Sequence, residues 1–184
     1  MKHTQLPLQC NIKVKFPNRV EHVICSGAGC LRLLTYLQAQ NLIIDVDDME
    51  KSRPKFDARP YALANPQFKN YPLFGEFRGY DNPELIMALN PAPQVIFKTF
   101  STMGHDPEKL RKKTSIPVVV LEYGDLASQR GYLYQALRIM GKVVDREKRA
   151  EELVYVMEMK AGVIHEDDAM LRLGKAFSGT EAFT

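Results

Sequence analysis

Side chains that could bind a ligand follow several short apolar runs of the sequence. The first group, Ser26-Gly27-Ala28-Gly29, comes directly after the run Val23–Cys25. If that run is a strand and a helix follows, the small-residue turn presents unpaired N–H groups and the positive end of the helix dipole, which suit an anion. Polar side chains also follow the later apolar runs: Asp47, Arg59, Tyr61, Arg78, Tyr80, Lys98, Thr99 and Tyr123.

These residues are expected to lie together. In an open α/β sheet the carboxyl ends of the parallel strands form one edge, and ligands bind there. We call this edge, made of the residues that follow the strands, the rim. It would collect three cations, Arg59, Arg78 and Lys98, together with three tyrosines. This combination favours an anionic ligand or an anionic metal chelate.

The elements that must position the rim are strands alternating with helices. The pattern from residue 23 to 46 predicts a strand, a tight turn, a helix from about Ala28 to Gln40, and a second strand over Leu42–Val46. Apolar runs at 72–74, 94–97 and 117–121 predict three more strands. We therefore expect an α/β fold, a three-layer αβα arrangement with a doubly wound, mainly parallel five-stranded sheet.

Helix boundaries are marked by capping residues. Asn82-Pro83-Glu84 and Asp106-Pro107 each place a capping side chain before proline at the first helical position. Two longer helices are predicted at about 128–140, with Gly141 as C-cap, and at 146–160. Residues 5–15 alternate loosely and predict a small N-terminal edge hairpin or strand.

Composition limits the possible functions. The 184-residue chain has a net charge of +3 with dispersed basic residues, which argues against nucleic acid as the main partner. Three cysteines, Cys10, Cys25 and Cys30, are too few and too irregular for a disulfide framework or a zinc site, although one pair could bridge in an oxidising compartment. No transmembrane span or signal peptide is visible, so the chain is expected to be either cytosolic or a mature exported form. We predict no bound metal and no cofactor.

An enzymatic alternative depends on the same turn. Gly27-Ala28-Gly29 matches the start of the dinucleotide fingerprint, and Asp45 or Asp47 lies near the expected distance. Arg32, however, replaces the third glycine. The alternative is a Rossmann-like nucleotide-binding enzyme, but the chain has no nucleophile elbow. Cys30 is more simply interpreted as a buried core residue and His105 as a surface histidine before a helix cap, so we predict no catalytic residues.

Five segments in order resemble a known family. They are 19–34, which ends in the turn and the first helix, then 43–48, 59–66, 82–91 and 116–124. Together they resemble the amino-terminal lobe of substrate-binding proteins of ABC importers, in the ferric-siderophore, haem and vitamin B12 group, the class III periplasmic binding proteins. The resemblance runs from about residue 16 to residue 160.

The resemblance implies a two-lobed binder that holds its ligand between the lobes and is not an enzyme. Residues 1–144 would form the amino-terminal lobe, 145–160 the helix that crosses to the second lobe, and 161–184 a tail in place of that lobe. The ligand would be a ferric chelate, a corrinoid or an anion. Glu84 would occupy the position of a first-turn glutamate that contacts arginines of the membrane permease.

Family members act outside the cytoplasmic membrane, so the resemblance implies a periplasmic or extracellular protein that associates with the membrane through its transporter. About two dozen residues follow the predicted crossing helix, so the chain would be a truncated form, a form with an altered tail, or a naturally single-lobed relative. Its exposed lobe face could then form a homodimer. A further alternative is an interaction domain whose tail completes an oligomer.

Overall fold

The computed structural model describes residues 17–52 and 58–162, which contain six strands and seven α-helices. The predicted N-terminal edge strand and most of the tail, residues 163–184, lie outside them. The strands are β1 (Val23–Ser26), β2 (Val46–Asp47), β3 (Leu73–Glu76), β4 (Tyr80–Asp81), β5 (Val95–Thr99) and β6 (Val118–Leu121). The helices are α1 (Cys30–Tyr36), α2 (Asp48–Lys51), α3 (Pro60–Ala64), α4 (Pro83–Met87), α5 (Pro107–Thr114), α6 (Arg130–Val143) and α7 (Glu147–Lys160).

The strands form two hydrogen-bonded groups. β1, β5 and β6 pair in parallel, with β5 in the middle. β2 pairs in parallel with β3, and β3 pairs antiparallel with β4. A single parallel bridge between Val23 and Ile43 links the two groups. The predicted α/β class and mainly parallel sheet are confirmed, with β4 as an antiparallel addition.

Helices cover both faces of the sheet, because successive residues of a strand point to opposite sides. On β5, Phe97 joins a large core with α1, α6 and α7, whereas Ile96 joins a smaller core with α4 and α5. Burying a leucine such as Leu34 or Leu137, both 0% exposed, contributes about 1.5–3 kcal/mol. This double coverage explains the almost purely apolar sequences of β5 and β6.

Two predicted elements are shorter than expected. The helix predicted over Ala28–Gln40 spans only Cys30–Tyr36, because Gln38 adopts a left-handed φ of 57° that ends it. The strand predicted over Leu42–Val46 is interrupted. Residues 40–42 form a 3-10 turn, Ile43 makes the bridge to β1, and β2 begins at Val46 with a register shift.

Capping was predicted correctly at two helices. Asn82 Oδ1 accepts hydrogen bonds from the Glu84 and Leu85 N–H groups, and Asp106 Oδ1 accepts one from Lys109 N–H. The prediction for Gly141 was wrong, since it lies inside α6 rather than after it.

Gly141 instead permits the close packing of α6 on α7. A Cβ atom at this position would lie 2.8 Å from the Cβ atom of Ala150. The two helices are also joined by Arg138, which donates to both carboxylate oxygens of Glu151 at 2.7 and 2.9 Å.

Among the described residues, no helix is both long and apolar enough to cross a membrane.

Candidate ligand-binding site

The turn after β1 lies at the carboxyl ends of the neighbouring strands β1 and β5. The chain leaves these two strands toward opposite faces of the sheet. Such a point is the usual ligand crevice of an open α/β sheet. Gly27 and Gly29 adopt φ values of +86° and +77°, which favour glycine. A Cβ atom on Gly27 would also lie 2.5 Å from the Thr99 carbonyl oxygen. The glycines are therefore required by the turn and by its packing against the end of β5.

Tyr123 covers the other side of this turn. Its ring stacks on Phe100 at a centroid distance of 5.4 Å, and the Arg32 guanidinium lies 5.3 Å from its centroid. A side chain on Gly29 would overlap the ring. Thr99 Oγ1 donates to the Ala28 carbonyl at 3.0 Å. The structure thus brings together the predicted residues Ser26–Gly29, Thr99 and Tyr123.

Lys98 lies beneath the rim rather than on its surface. Its side chain is 0% exposed, and Nζ donates to Asp81 Oδ2 at 2.5 Å, the Gly79 carbonyl at 2.9 Å and Ser26 Oγ at 3.2 Å. Lys98 was predicted to be a cation available to ligand, and its position in the sequence did not indicate that Asp81 is its partner. Because both side chains are enclosed, Lys98 holds the β3–β4 segment against the ends of β1 and β5. A direct contact with ligand stays a prediction.

Arg59 and Tyr61 converge on a carboxylate that the sequence analysis did not single out. Arg59 Nη1 donates to Glu50 Oε1 at 2.9 Å, and the Tyr61 hydroxyl donates to the same oxygen at 2.7 Å. Glu50 is 3% exposed. Burial, followed by the Glu50 hydrogen bond, raises the pKa of Tyr61. The charge of Arg59 is therefore directed at Glu50, on α2.

An acidic pocket opens between the turn after β1 and the residues around β2. Asp45 is 1% exposed, and neither of its carboxylate oxygens has a hydrogen-bond partner among the described residues. Burial, and secondarily the charge of Asp81, raise its pKa to about 8. The pocket, called the acidic pocket below, is lined by Cys25, Gly27, Gly29, Leu31, Asp45, Val46, Asp47, Met49, Glu50, Arg59, Tyr61 and Phe77.

Asp47 has a different environment in the same pocket. Its Oδ1 accepts a hydrogen bond from the Glu50 N–H at 3.1 Å, which caps α2. Burial raises its pKa to about 6, although the Glu50 N–H hydrogen bond opposes this shift. Asp47 was predicted from its position after a strand, whereas Asp45 was considered only for nucleotide binding. The sequence feature that could have identified Asp45 as a buried acid is its position inside the apolar run Leu42–Val46.

The remaining predicted residues are on the surface. Arg78 is exposed, has a left-handed φ of 66°, and lies 5.6 Å from the Phe77 ring centroid. Tyr80 is 51% exposed and meets the His105 ring edge-on at 5.8 Å. Glu84 is exposed in the first turn of α4.

Comparisons with known proteins identify the fold. No family model matches the sequence, and no curated protein matches it. Solved structures do match. MolA, the molybdate periplasmic binding protein of Haemophilus influenzae, is 22% identical with a TM-score of 0.64, over 82% of this chain and 49% of that one. The fold is that of one lobe of a periplasmic binding protein.

Two further structures agree. A periplasmic heme-binding protein of Pseudomonas aeruginosa is 21% identical with a TM-score of 0.55, over 77% of this chain and 45% of its own. The petrobactin-binding protein YclQ of Bacillus subtilis is 18% identical with a TM-score of 0.53, over 80% and 47%. The chain thus spans about half the length of the periplasmic binding proteins it matches, and the resemblance seen in the sequence is confirmed at the level of fold.

The nucleotide-binding alternative gains no support from these comparisons, since the three matched proteins are binding proteins for molybdate, heme and petrobactin. The local geometry is also unfavourable. Arg32, in place of the third glycine of the fingerprint, lies against Tyr123. The two glycines are explained by contacts with Thr99 and Tyr123.

Proposed function

We propose that this chain is the ligand-binding amino-terminal lobe of a solute-binding protein of an ABC importer, with an iron compound, a metal chelate or a similar anionic molecule as its ligand. The observation that carries the proposal is the match of about four fifths of the chain to one lobe of binding proteins for molybdate, heme and petrobactin. The exposure of the predicted rim residues supports it, because Arg78 and Tyr80 are exposed and Gly29, Tyr61 and Tyr123 are partly exposed.

The ligand contacts that we propose are the predicted rim residues. Arg78 and Tyr80 are exposed there, and Tyr123 is partly exposed beside the glycine turn. Arg59, Tyr61 and Asp47 line the acidic pocket next to it. Ser26, Lys98 and Thr99 are buried, so they would support these contacts from below.

Calorimetric titration of the chain with molybdate, haemin, ferric petrobactin and a ferric hydroxamate tests the proposal. We expect at least one to bind and Arg78→Gln to weaken that binding at least tenfold. Lys112→Gln is the matched control, because Lys112 is exposed near the end of α5 that leads to the amino end of β6. Absence of binding by all four ligands would contradict the proposal.

Permease docking through Glu84 is a second part of the proposal. Glu84 is exposed on α4, and its carboxylate also suits the helix N-terminus, which contributes about 0.3–1 kcal/mol. Co-purification with the cognate permease should fall with Glu84→Arg and not with Glu76→Arg, an exposed control at the end of β3. An equal loss of co-purification with both variants would mean that the net charge of the chain, and not the position of Glu84, causes the effect.

Location and assembly follow from the same proposal. The protein would act in the periplasm or outside the cell and associate with the membrane through its transporter. Helix α7 would cross toward a second lobe. In a chain without that lobe, exposed apolar residues on the rim, Tyr80, Phe100 and Leu126, would favour a homodimer. Light scattering of the chain and of a Leu126→Glu variant tests this, and a monomeric mass for both would exclude the dimer.

A further inference from the structure

The carboxyl group of Asp45 is buried without a hydrogen-bond donor among the described residues. Both of its oxygens lack a partner, and the residue is 1% exposed. Buried polar groups almost always have partners, because an unpaired one loses its hydrogen bonds to water without replacement. Asp45 lines the acidic pocket. A donor from outside the described chain is therefore expected to occupy that pocket.

The charges around the pocket favour a positively charged donor. Its described walls carry three carboxyl groups, of Asp45, Asp47 and Glu50, and one guanidinium, of Arg59. Arg59 is directed at Glu50, with 2.9 Å between Nη1 and Oε1. Nearby, Asp81 is paired with Lys98. The carboxyl groups of Asp45 and Asp47 are left as acceptors for an occupant.

The dimensions and the apolar walls indicate what kind of cation would fit. The pocket has space for about one water-sized group, and an ammonium group has that size. Leu31, Val46, Met49 and Phe77 provide apolar surface for an alkyl stem. Among the described residues, no group of three or more His, Cys, Asp or Glu side chains is placed to hold a metal ion. An organic ammonium therefore fits better than a bare metal.

We propose that the acidic pocket binds the ammonium end of an alkylamine arm, with the carboxyl group of Asp45 as its partner. This carboxyl group holds a proton at neutral pH in the chain alone, and the ammonium charge would lower its pKa from about 8 and stabilise the ionised form. This inference rests on the proposed function, because the arm belongs to the transported ligand and the rest of that ligand lies against the rim. The ligand class is thereby narrowed to chelates that carry a free primary amine.

Nuclear magnetic resonance titration of the 15N-labelled full chain tests the site with a simple probe, n-butylammonium chloride. n-Butanol and sodium butyrate, at matched ionic strength, serve as the neutral and anionic controls. We expect saturable shifts of the Gly27, Gly29 and Tyr61 amides with butylammonium, and at least tenfold weaker effects with the controls. Asp45→Asn should weaken butylammonium binding at least tenfold. Glu147→Gln, which removes an exposed carboxylate in the first turn of α7, away from the pocket and the rim, should alter binding less than twofold.

Three results would overturn the site: no saturable shifts, equal shifts with butanol, or unchanged binding by a folded Asp45→Asn variant. The wild-type comparison of the three probes does not depend on the folding of any variant. If ferric chelates bind in the calorimetric test while butylammonium does not, the amine inference fails and the proposed function stands. If butylammonium binds while no ligand binds in the calorimetric test, the amine site stands and the proposed function fails.

Discussion

The β1–β5–β6 half of the sheet and the β2–β3–β4 half differ in regularity. The first half pairs its strands in parallel through four residue pairs at each interface. The second has two strands of only two residues, a register shift and an antiparallel edge. The regular half has core on both faces, whereas the irregular half provides most of the acidic pocket. The difference indicates that apolar packing fixes the β1–β5–β6 half, whereas contacts of polar side chains determine the conformation of the β2–β3–β4 half.

Lys98 joins the two halves, and its removal should have the largest effect. Lys98→Met leaves the Asp81 carboxylate buried and unpaired, and breaking such a pair costs about 3–5 kcal/mol. Urea denaturation measures the free energy of unfolding. The double variant Lys98→Met/Asp81→Leu should recover most of the loss, and Lys109→Met, at an exposed position on α5, should change little. If the double variant were as unstable as the single one, the charge pair would not be what joins the halves.

The irregular half should have its own pH dependence. Because the pKa of Asp45 is raised to about 8 in the folded chain, the unfolded chain loses this proton first as pH rises above 4. Its contribution to stability is therefore complete at low pH and is lost as pH rises toward 8. From pH 5 to 7 the wild type should lose about 2.5 kcal/mol more than Asp45→Asn. Parallel urea curves at each pH measure the difference.

The control for this comparison is Glu122→Gln, which removes an exposed carboxylate and should retain the wild-type slope. Asp47, with a pKa raised to about 6, contributes in the same direction in both proteins. Identical slopes for wild type and Asp45→Asn would show that the carboxyl group of Asp45 is solvated or already paired.

The junction between the halves depends on a glycine. Gly29→Ala introduces a side chain at a φ of +77° and against the Tyr123 ring, so we expect a loss of about 1–3 kcal/mol. The matched control is Gly131→Ala in α6, where nothing lies within 4 Å of the added Cβ atom. That change should stabilise the chain by about 0.5–1 kcal/mol. Both values come from thermal or urea unfolding, and two losses of equal size would refute the junction's special geometry.

The smallest effect is expected within the acidic pocket. Tyr61→Phe removes a hydroxyl that donates to Glu50 and accepts from Arg59, a loss of about 0.5–1.5 kcal/mol. Tyr132→Phe, at a side chain that is 39% exposed, should be neutral. A neutral Tyr61→Phe result would mean that Arg59 alone satisfies Glu50.

The regular half was largely predictable from the sequence, because period-two burial and β-branched residues leave few alternatives for β5 and β6. The second strand was predicted too long, since its apolar run does not reveal that Ile43 pairs with β1 while Val46 pairs near β3. The sequence predicted the rim as one edge, but it did not predict which rim residues form hydrogen bonds or ion pairs with other residues. Lys98 and Asp81 are 17 positions apart, and nothing in their spacing indicates that they meet.

The enclosure of Lys98 by three oxygens from two separate segments, the end of β1 and residues 79–81, has an evolutionary consequence. A substitution of Lys98 alone leaves the Asp81 charge buried and unpaired, and a substitution of Asp81 alone does the same to Lys98. Both single variants are therefore disfavoured, whereas exchange of both residues is tolerated. Sequences descended from a common ancestor with this chain should therefore vary at these two positions in concert.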